Sequence, residues 1–176
     1  MSKKRKLQLY EALELRAEYD ARIKTLKDCL PETRQNRGRL LFHDDEVMRR
    51  PSSDFDMSEA RRNLRKLETK RRKLNSAIQE TNFNYKIDFA DESMNLSEAL
   101  ETRKGLNERI GELHTQVVNS AYQKVIYKEG LDIVEESEFP YNQSIANLEE
   151  ARMAFRELNR KLRLASFEAE VDFEDE

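Results

Sequence analysis

Chemistry needs residues that can hold a metal, move a proton or attack a carbonyl, and this sequence offers few of them. His43-Asp44-Asp45-Glu46 is the one place where imidazole and carboxylates stand together. Adjacent residues point apart and no second cluster has ligand spacing, so the stretch reads as an exposed acidic turn and no metal is expected. A di-iron helical bundle would need Glu three residues before His, twice. Here Gly111 precedes His114 and Leu40 precedes His43 at that distance. Cys29, the single cysteine, stands beside Pro31 and reads as a small residue at a helix end. Neither a Gly-x-Ser-x-Gly elbow nor a phosphate-binding loop is present, so neither enzyme chemistry nor a cofactor is expected.

Two charged constellations remain. Arg61, Arg62, Arg65, Lys66, Lys70, Arg71, Arg72 and Lys73 place eight cations on one helical stretch, which can follow a phosphate backbone or can form a solvated or bundle-bridging face paired with Glu59, Glu68 and other acids. The second constellation repeats: Glu11, Arg16 and Arg22 recur as Glu98, Arg103 and Arg109. Arg16 and Arg103 fall on or beside an apolar seam. A buried Arg needs a partner, and the Glu of the matching hairpin is the expected one, either to specify packing or to form a pocket for an anion.

The elements that position these residues follow from composition. The 176 residues contain 4 Gly and 3 Pro against 32 Lys+Arg and 35 Asp+Glu, which leaves too few turn residues for a many-stranded sheet. A formal charge of −3 removes the global positive field of a non-specific nucleic-acid binder while allowing a local patch. No apolar run reaches the ~18 residues of a membrane span. The basic start, Met1 to Lys6, is followed by Glu11 and Glu14, so no signal peptide is expected and the cytoplasm is the expected compartment.

Apolar residues recur at intervals of three and four in four segments, each the mark of a helix with one buried stripe. The first runs from Leu7 to Leu30 through Ala12, Leu13, Tyr19, Ile23 and Leu26. The second opens at Asp56, with Glu59 placed for a capping box, and continues through Met57, Ala60, Leu64, Leu67, Arg71, Leu74, Ile78 and Thr81. The third opens at Asn95 with Glu98 and runs through Leu96, Ala99, Arg103, Leu106, Ile110, Leu113 and Val117. The fourth, after Pro140-Tyr141-Asn142, takes Ile145, Leu148, Arg152, Phe155, Leu158 or Asn159, Leu162 and Ala165. Residues 82–89 alternate like a strand that would pair with Lys124 to Val134, and Phe83, Tyr85 and Phe89 there would stack on bases or seal a bundle end. Six acids in the nine residues 168–176 predict a frayed tail.

A shift of 87 residues superimposes 9–26 on 96–113 with nine identities in eighteen positions, among them Glu11/Glu98, Glu14/Glu101 and Arg16/Arg103. A shift of 84 brings Arg72-Lys73-Leu74-Asn75 onto Arg156-Glu157-Leu158-Asn159. The expectation is an internal duplication within one domain, 1–176: a helical hairpin over 7–82, a second over 95–167, a pseudo-twofold axis between them, and an acidic tail, 168–176. The expected fold class is all-α, an elongated antiparallel coiled-coil bundle with or without a short β-hairpin at one end.

Leu9-x-Glu-Ala-Leu-x-x-Arg-Ala17, Ile78-x-x-Thr81-Asn82, Asn95-Leu-Ser-Glu-Ala-Leu-Glu-x-Arg103 and Arg156-Glu157-Leu158 together resemble the septicolysin-like family of small bacterial helical proteins. The resemblance spans nearly the whole chain and implies an all-helical fold without defined catalytic residues. The sequence departs from it at Asp91-Glu92, where members often carry Asp-Gly. The seam residues Leu64, Leu67, Leu74 and Ile78, with Leu106, Ile110 and Leu113, satisfy a partner helix on one side only. The expected function is therefore a non-enzymatic interaction protein that self-associates as a homodimer or higher oligomer and binds a protein partner. A nucleic-acid or nuclease-binding module using the basic face is the alternative, and a membrane-active lysin the third.

Overall fold

Backbone amides at a helix start need acceptors, and side-chain oxygens supply them at three of the four helix starts. The computed structural model describes residues 6–30, 51–128 and 130–175. In chain order its elements are β1 (Leu7–Gln8), α1 (Leu9–Cys29), α2 (Met57–Asn84), β2 (Lys86–Phe89), β3 (Glu92–Asn95), α3 (Leu96–Ser120), β4 (Lys124–Lys128), β5 (Leu131–Glu135), α4 (Tyr141–Glu168) and β6 (Glu170–Val171). Before α3, Asn95 Oδ1 accepts from the Glu98 amide at 2.9 Å while the Asn95 amide donates to Glu98 Oε2 at 2.8 Å, which is the predicted capping box. Before α2, the Asp56 carboxylate accepts from the Ser58 and Glu59 amides at 2.7 and 3.2 Å. At α1 the Gln8 amide donates to Glu11 Oε2 at 2.9 Å. α4 instead starts after Pro140, whose φ of −62° already suits an entering chain.

Among the described residues the protein is mostly helical, with three small antiparallel strand pairs. The seam predicted on α2 is present: Ala60, Leu74 and Ile78 are buried, and Met57, Leu64, Leu67, Arg71 and Thr81 are half-buried. Leu9, Ala12, Tyr19 and Ile23 do the same for α1, Leu96, Ala99 and Leu113 for α3, and Leu148, Leu158 and Ala165 for α4, whereas Ile145 and Arg152, expected on the α4 stripe, are exposed. Burying each large side chain contributes about 1.5–3 kcal/mol.

The chain divides into two compact units, residues 1–81 with 170–176 and residues 82–169. In the first unit α1 and α2 run antiparallel, with Arg16 bonded to Asn75, Arg71 to Asp20 and Lys27 to Glu68. β1 and β6 pair antiparallel, Leu7 opposite Val171 and Gln8 opposite Glu170. The frayed tail expected from six acids is therefore corrected. Alternation along a strand sends Glu170 out and Val171 in, and Val171 is 0% exposed. Beyond it, Asp175 is bonded by Tyr19 and by Lys70.

In the second unit α3 and α4 pack along their length around Phe89, Ala99 and Leu158, with Ile87, Met94, Leu106, Ala154 and Leu162 against them. The expected pairing of 82–89 with 124–134 is also corrected. β2 pairs with β3, Phe89 opposite Glu92 and Lys86 opposite Asn95, and β4 pairs with β5, Lys124 opposite Glu135. The two-residue turn between β2 and β3 holds Ala90 at φ 51° and Asp91 at φ 62°. Such a turn favours Asn-Gly or Asp-Gly, so a non-glycine pair hides it from a reader of turn signals. Its left-handed alanine costs about 1–2 kcal/mol, which the burial of Phe89 offsets. Residues 82–84 continue α2 where a strand was expected, Tyr85 donates to Glu168 Oε2 at 2.7 Å, and Phe83 is exposed.

Candidate functional site

The repeated polar set has local roles. Glu11 and Glu98 each stand third in their helix and bind the backbone amide that precedes it, Gln8 and Asn95. Arg16 Nη1 donates to Asn75 Oδ1 at 3.3 Å, Arg22 pairs with Glu18 four residues back, and Arg109 pairs with Glu112 at 3.1 Å. Arg103, expected on or beside the seam, is exposed. The recurrence of Glu11 at Glu98 thus reflects two helix starts of the same kind, and the expectation of a buried arginine there is corrected: a long side chain at the seam edge carries its guanidinium to water.

The basic run on α2 splits. Arg71, on the seam, pairs through Nε with Asp20 at 2.9 Å, and Lys70 Nζ donates to Asp175 at 2.9 Å. Arg61, Arg62, Arg65, Lys66, Arg72 and Lys73 are exposed; Arg62 interacts with the Asp56 carboxylate, and the other five form no ion pair among the described residues. At 100° per residue these six lie on the half of the helix away from its seam. The pairing with Glu59 and Glu68 considered from sequence spacing does not form: Glu68 pairs with Lys27 at 3.0 Å.

Beside this face lies a cleft of about 570 Å³ between α1 and α2, lined by Tyr19, Arg22, Thr25 and Leu26 from one helix, Asn63, Lys66, Leu67 and Lys70 from the other, and Asp175. Tyr19 is 1% exposed, and its hydroxyl donates to Asp175 Oδ1, the oxygen that Lys70 also binds. Burial, reinforced by that bond to a carboxylate, raises the Tyr19 hydroxyl above its ordinary value. The bonds from Tyr19 and then Lys70 hold Asp175 below the ordinary carboxylate range. The sequence singled out neither Asp175 nor Tyr19 for a polar role, because their meeting joins positions 156 residues apart.

These two shifts set opposite limits. Asp175 stabilises the fold above its unfolded value, about pH 4, and that contribution is lost as pH falls through its lower folded value. Tyr19 contributes below about pH 10 and is lost as pH rises. The stability advantage of the parent over Asp175→Asn, measured by urea denaturation, is expected to hold near neutrality and shrink steadily below about pH 4. An advantage constant down to strong acid would show that the carboxylate is not what Tyr19 and Lys70 hold.

The second unit carries an apolar end. Val118, Tyr122, Val125, Tyr127, Leu131 and Ile133 are exposed, as are Val134, Phe139, Tyr141 and Ile145, with Tyr127 at 80% and Leu131 at 72%. All five residues of β5 are exposed, and among the described residues β4 and β5 pair with each other alone. Below them a cleft of about 480 Å³ is lined by Glu112, Glu135, Glu136 and Glu138 with Lys124, Tyr122 and Phe139.

Among the described residues no helix is long and apolar enough to cross a membrane, and no three His, Cys, Asp or Glu side chains converge as metal ligands. His43-Asp44-Asp45-Glu46 lies outside the described residues. No family model and no curated protein matches the chain. Its fold is similar to that of a solved structure described as a functionally unknown conserved protein from Corynebacterium diphtheriae, at 17% identity and a TM-score of 0.63, over 96% of this chain and 100% of that one.

Proposed function

We propose that the protein is a non-enzymatic helical interaction scaffold that associates with a second copy of itself through the β4–β5 end of its second unit. The observation that carries this reading is the exposure of that hairpin: among the described residues no further strand joins its two strands, and apolar side chains stand on both faces. An isolated two-stranded hairpin is marginal in water, and exposed apolar area of this size at one end of a unit marks an interaction site. Ten side chains, exposed between 38% and 85%, offer on the order of 1,000 Å², against the roughly 800 Å² per partner of a standard interface. A twofold dimer covers such a self-complementary patch without leaving an open end.

The finer architecture belongs to the same reading. The two hairpins descend from a duplicated ancestor and each packs as an antiparallel coiled coil, a proposal supported by the nine identities between 9–26 and 96–113 and by the two strands, β1 and β3, that each run directly into a helix. Membership of the septicolysin-like family, proposed on the sequence motifs alone, would add no chemistry to it. A second reading, nucleic-acid binding, is favoured by the six exposed cations on α2, five of them without an ion pair among the described residues.

Light scattering on a sizing column separates these readings. Twice the 20.9 kDa chain mass is expected at tens of micromolar protein, with Tyr127→Ser/Leu131→Ser returning the mass to one chain; both positions are exposed, so the substitutions leave the fold intact. A monomeric parent would overturn self-association. Co-elution with a single-stranded oligonucleotide, lost between roughly 50 and 200 mM salt, would establish the second reading instead.

A further inference from the structure

The cleft in the first unit already holds a carboxylate. Asp175 Oδ1 receives the Tyr19 hydroxyl and the Lys70 ammonium together, and Tyr19 is anchored by near-complete burial. With Asp175 matched to Lys70, the cleft keeps two further cations, Arg22 and Lys66. Arg22 is bonded to Glu18, and Lys66 has no acidic partner among the described residues. Asn63 adds an amide one helical turn before Lys66, and Leu26 and Leu67 contribute apolar wall from the two helices. A volume of about 570 Å³ suits a small molecule, and an apolar wall with a few cations at its rim suits a molecule built the same way.

We propose that this cleft binds a small organic anion with a compact apolar body, the body against Leu26 and Leu67 and the acid group at Lys66 and Asn63. Asp175 then serves as a resident competitor: its negative charge beside Lys70 repels a second anion, and neutralising it strengthens binding. This site is independent of the β4–β5 end and does not rest on self-association.

The test uses the full chain and the fluorescent probe 1-anilinonaphthalene-8-sulfonate, an aromatic body bearing one sulfonate. Saturable binding of one probe per chain is expected, weakening as salt is raised. Lys66→Glu is expected to weaken it at least tenfold and Asp175→Asn to tighten it severalfold, both at an unchanged one probe per chain. Because the probe also reports exposed apolar surface, Tyr127→Ser/Leu131→Ser is the control and is expected to leave this affinity unchanged. Three results would each overturn the proposal: Lys66→Glu within twofold of the parent, weaker binding in Asp175→Asn, or loss of the signal in the hairpin variant.

Discussion

Val171→Asp is expected to lower the melting temperature by about 10 °C or more. Val171 is wholly buried, opposite Leu7 in the β1–β6 pair, and an aspartate there is a carboxylate without water or a cation. Such a burial costs about 4 kcal/mol, and each kcal/mol moves the midpoint by about 2–4 °C in a chain of this size. The same change releases the segment that brings Asp175 to Tyr19 and Lys70. Asp172→Ala, at the exposed neighbouring position, is the control and is expected to change stability by less than about 0.5 kcal/mol. Thermal unfolding followed by circular dichroism decides it: if Val171→Asp melts with Asp172→Ala, residues 170–175 do not dock.

The second large effect is expected at Leu158. It is 0% exposed and packs with Phe89 and Ala99, so Leu158→Ala leaves a cavity between two helices and a strand that cannot all close around it. About 3 kcal/mol is the expected loss, or about 6–12 °C. Leu164→Ala, on the same helix but 50% exposed, is expected to lose under about 1 kcal/mol. Equal losses at the two positions would show that α4 buries a different face.

Much of the helical pattern was legible because it rests on near neighbours. Ala60, Leu74 and Ile78 declare their common face by spacing alone, and Asp56 and Asn95 declare the helix starts they cap. The site was less legible. Lys70 and Arg71 belong to one run of like residues, yet each has its own acid, because Asp175 and Asp20 come from elements that sequence distance does not connect. By spacing Tyr19 is one more seam residue, and only the fold brings Asp175 to its hydroxyl.

By itself the amino-acid sequence determined the four helices, most of their buried stripes, the caps at Asp56 and Asn95 and the poverty of catalytic groups, since each depends on side chains within one or two helical turns of one another. Tertiary structure alone decided the strand partners, the docking of the acidic tail and which cations remain unpaired. A strand of two to five residues carries no partner or register of its own. Glu170-Val171 becomes a strand because Leu7-Gln8 meets it, and Ala90-Asp91 accepts a left-handed turn because Phe89 is buried beside it. Composition counts charges, whereas the fold decides which of them meet.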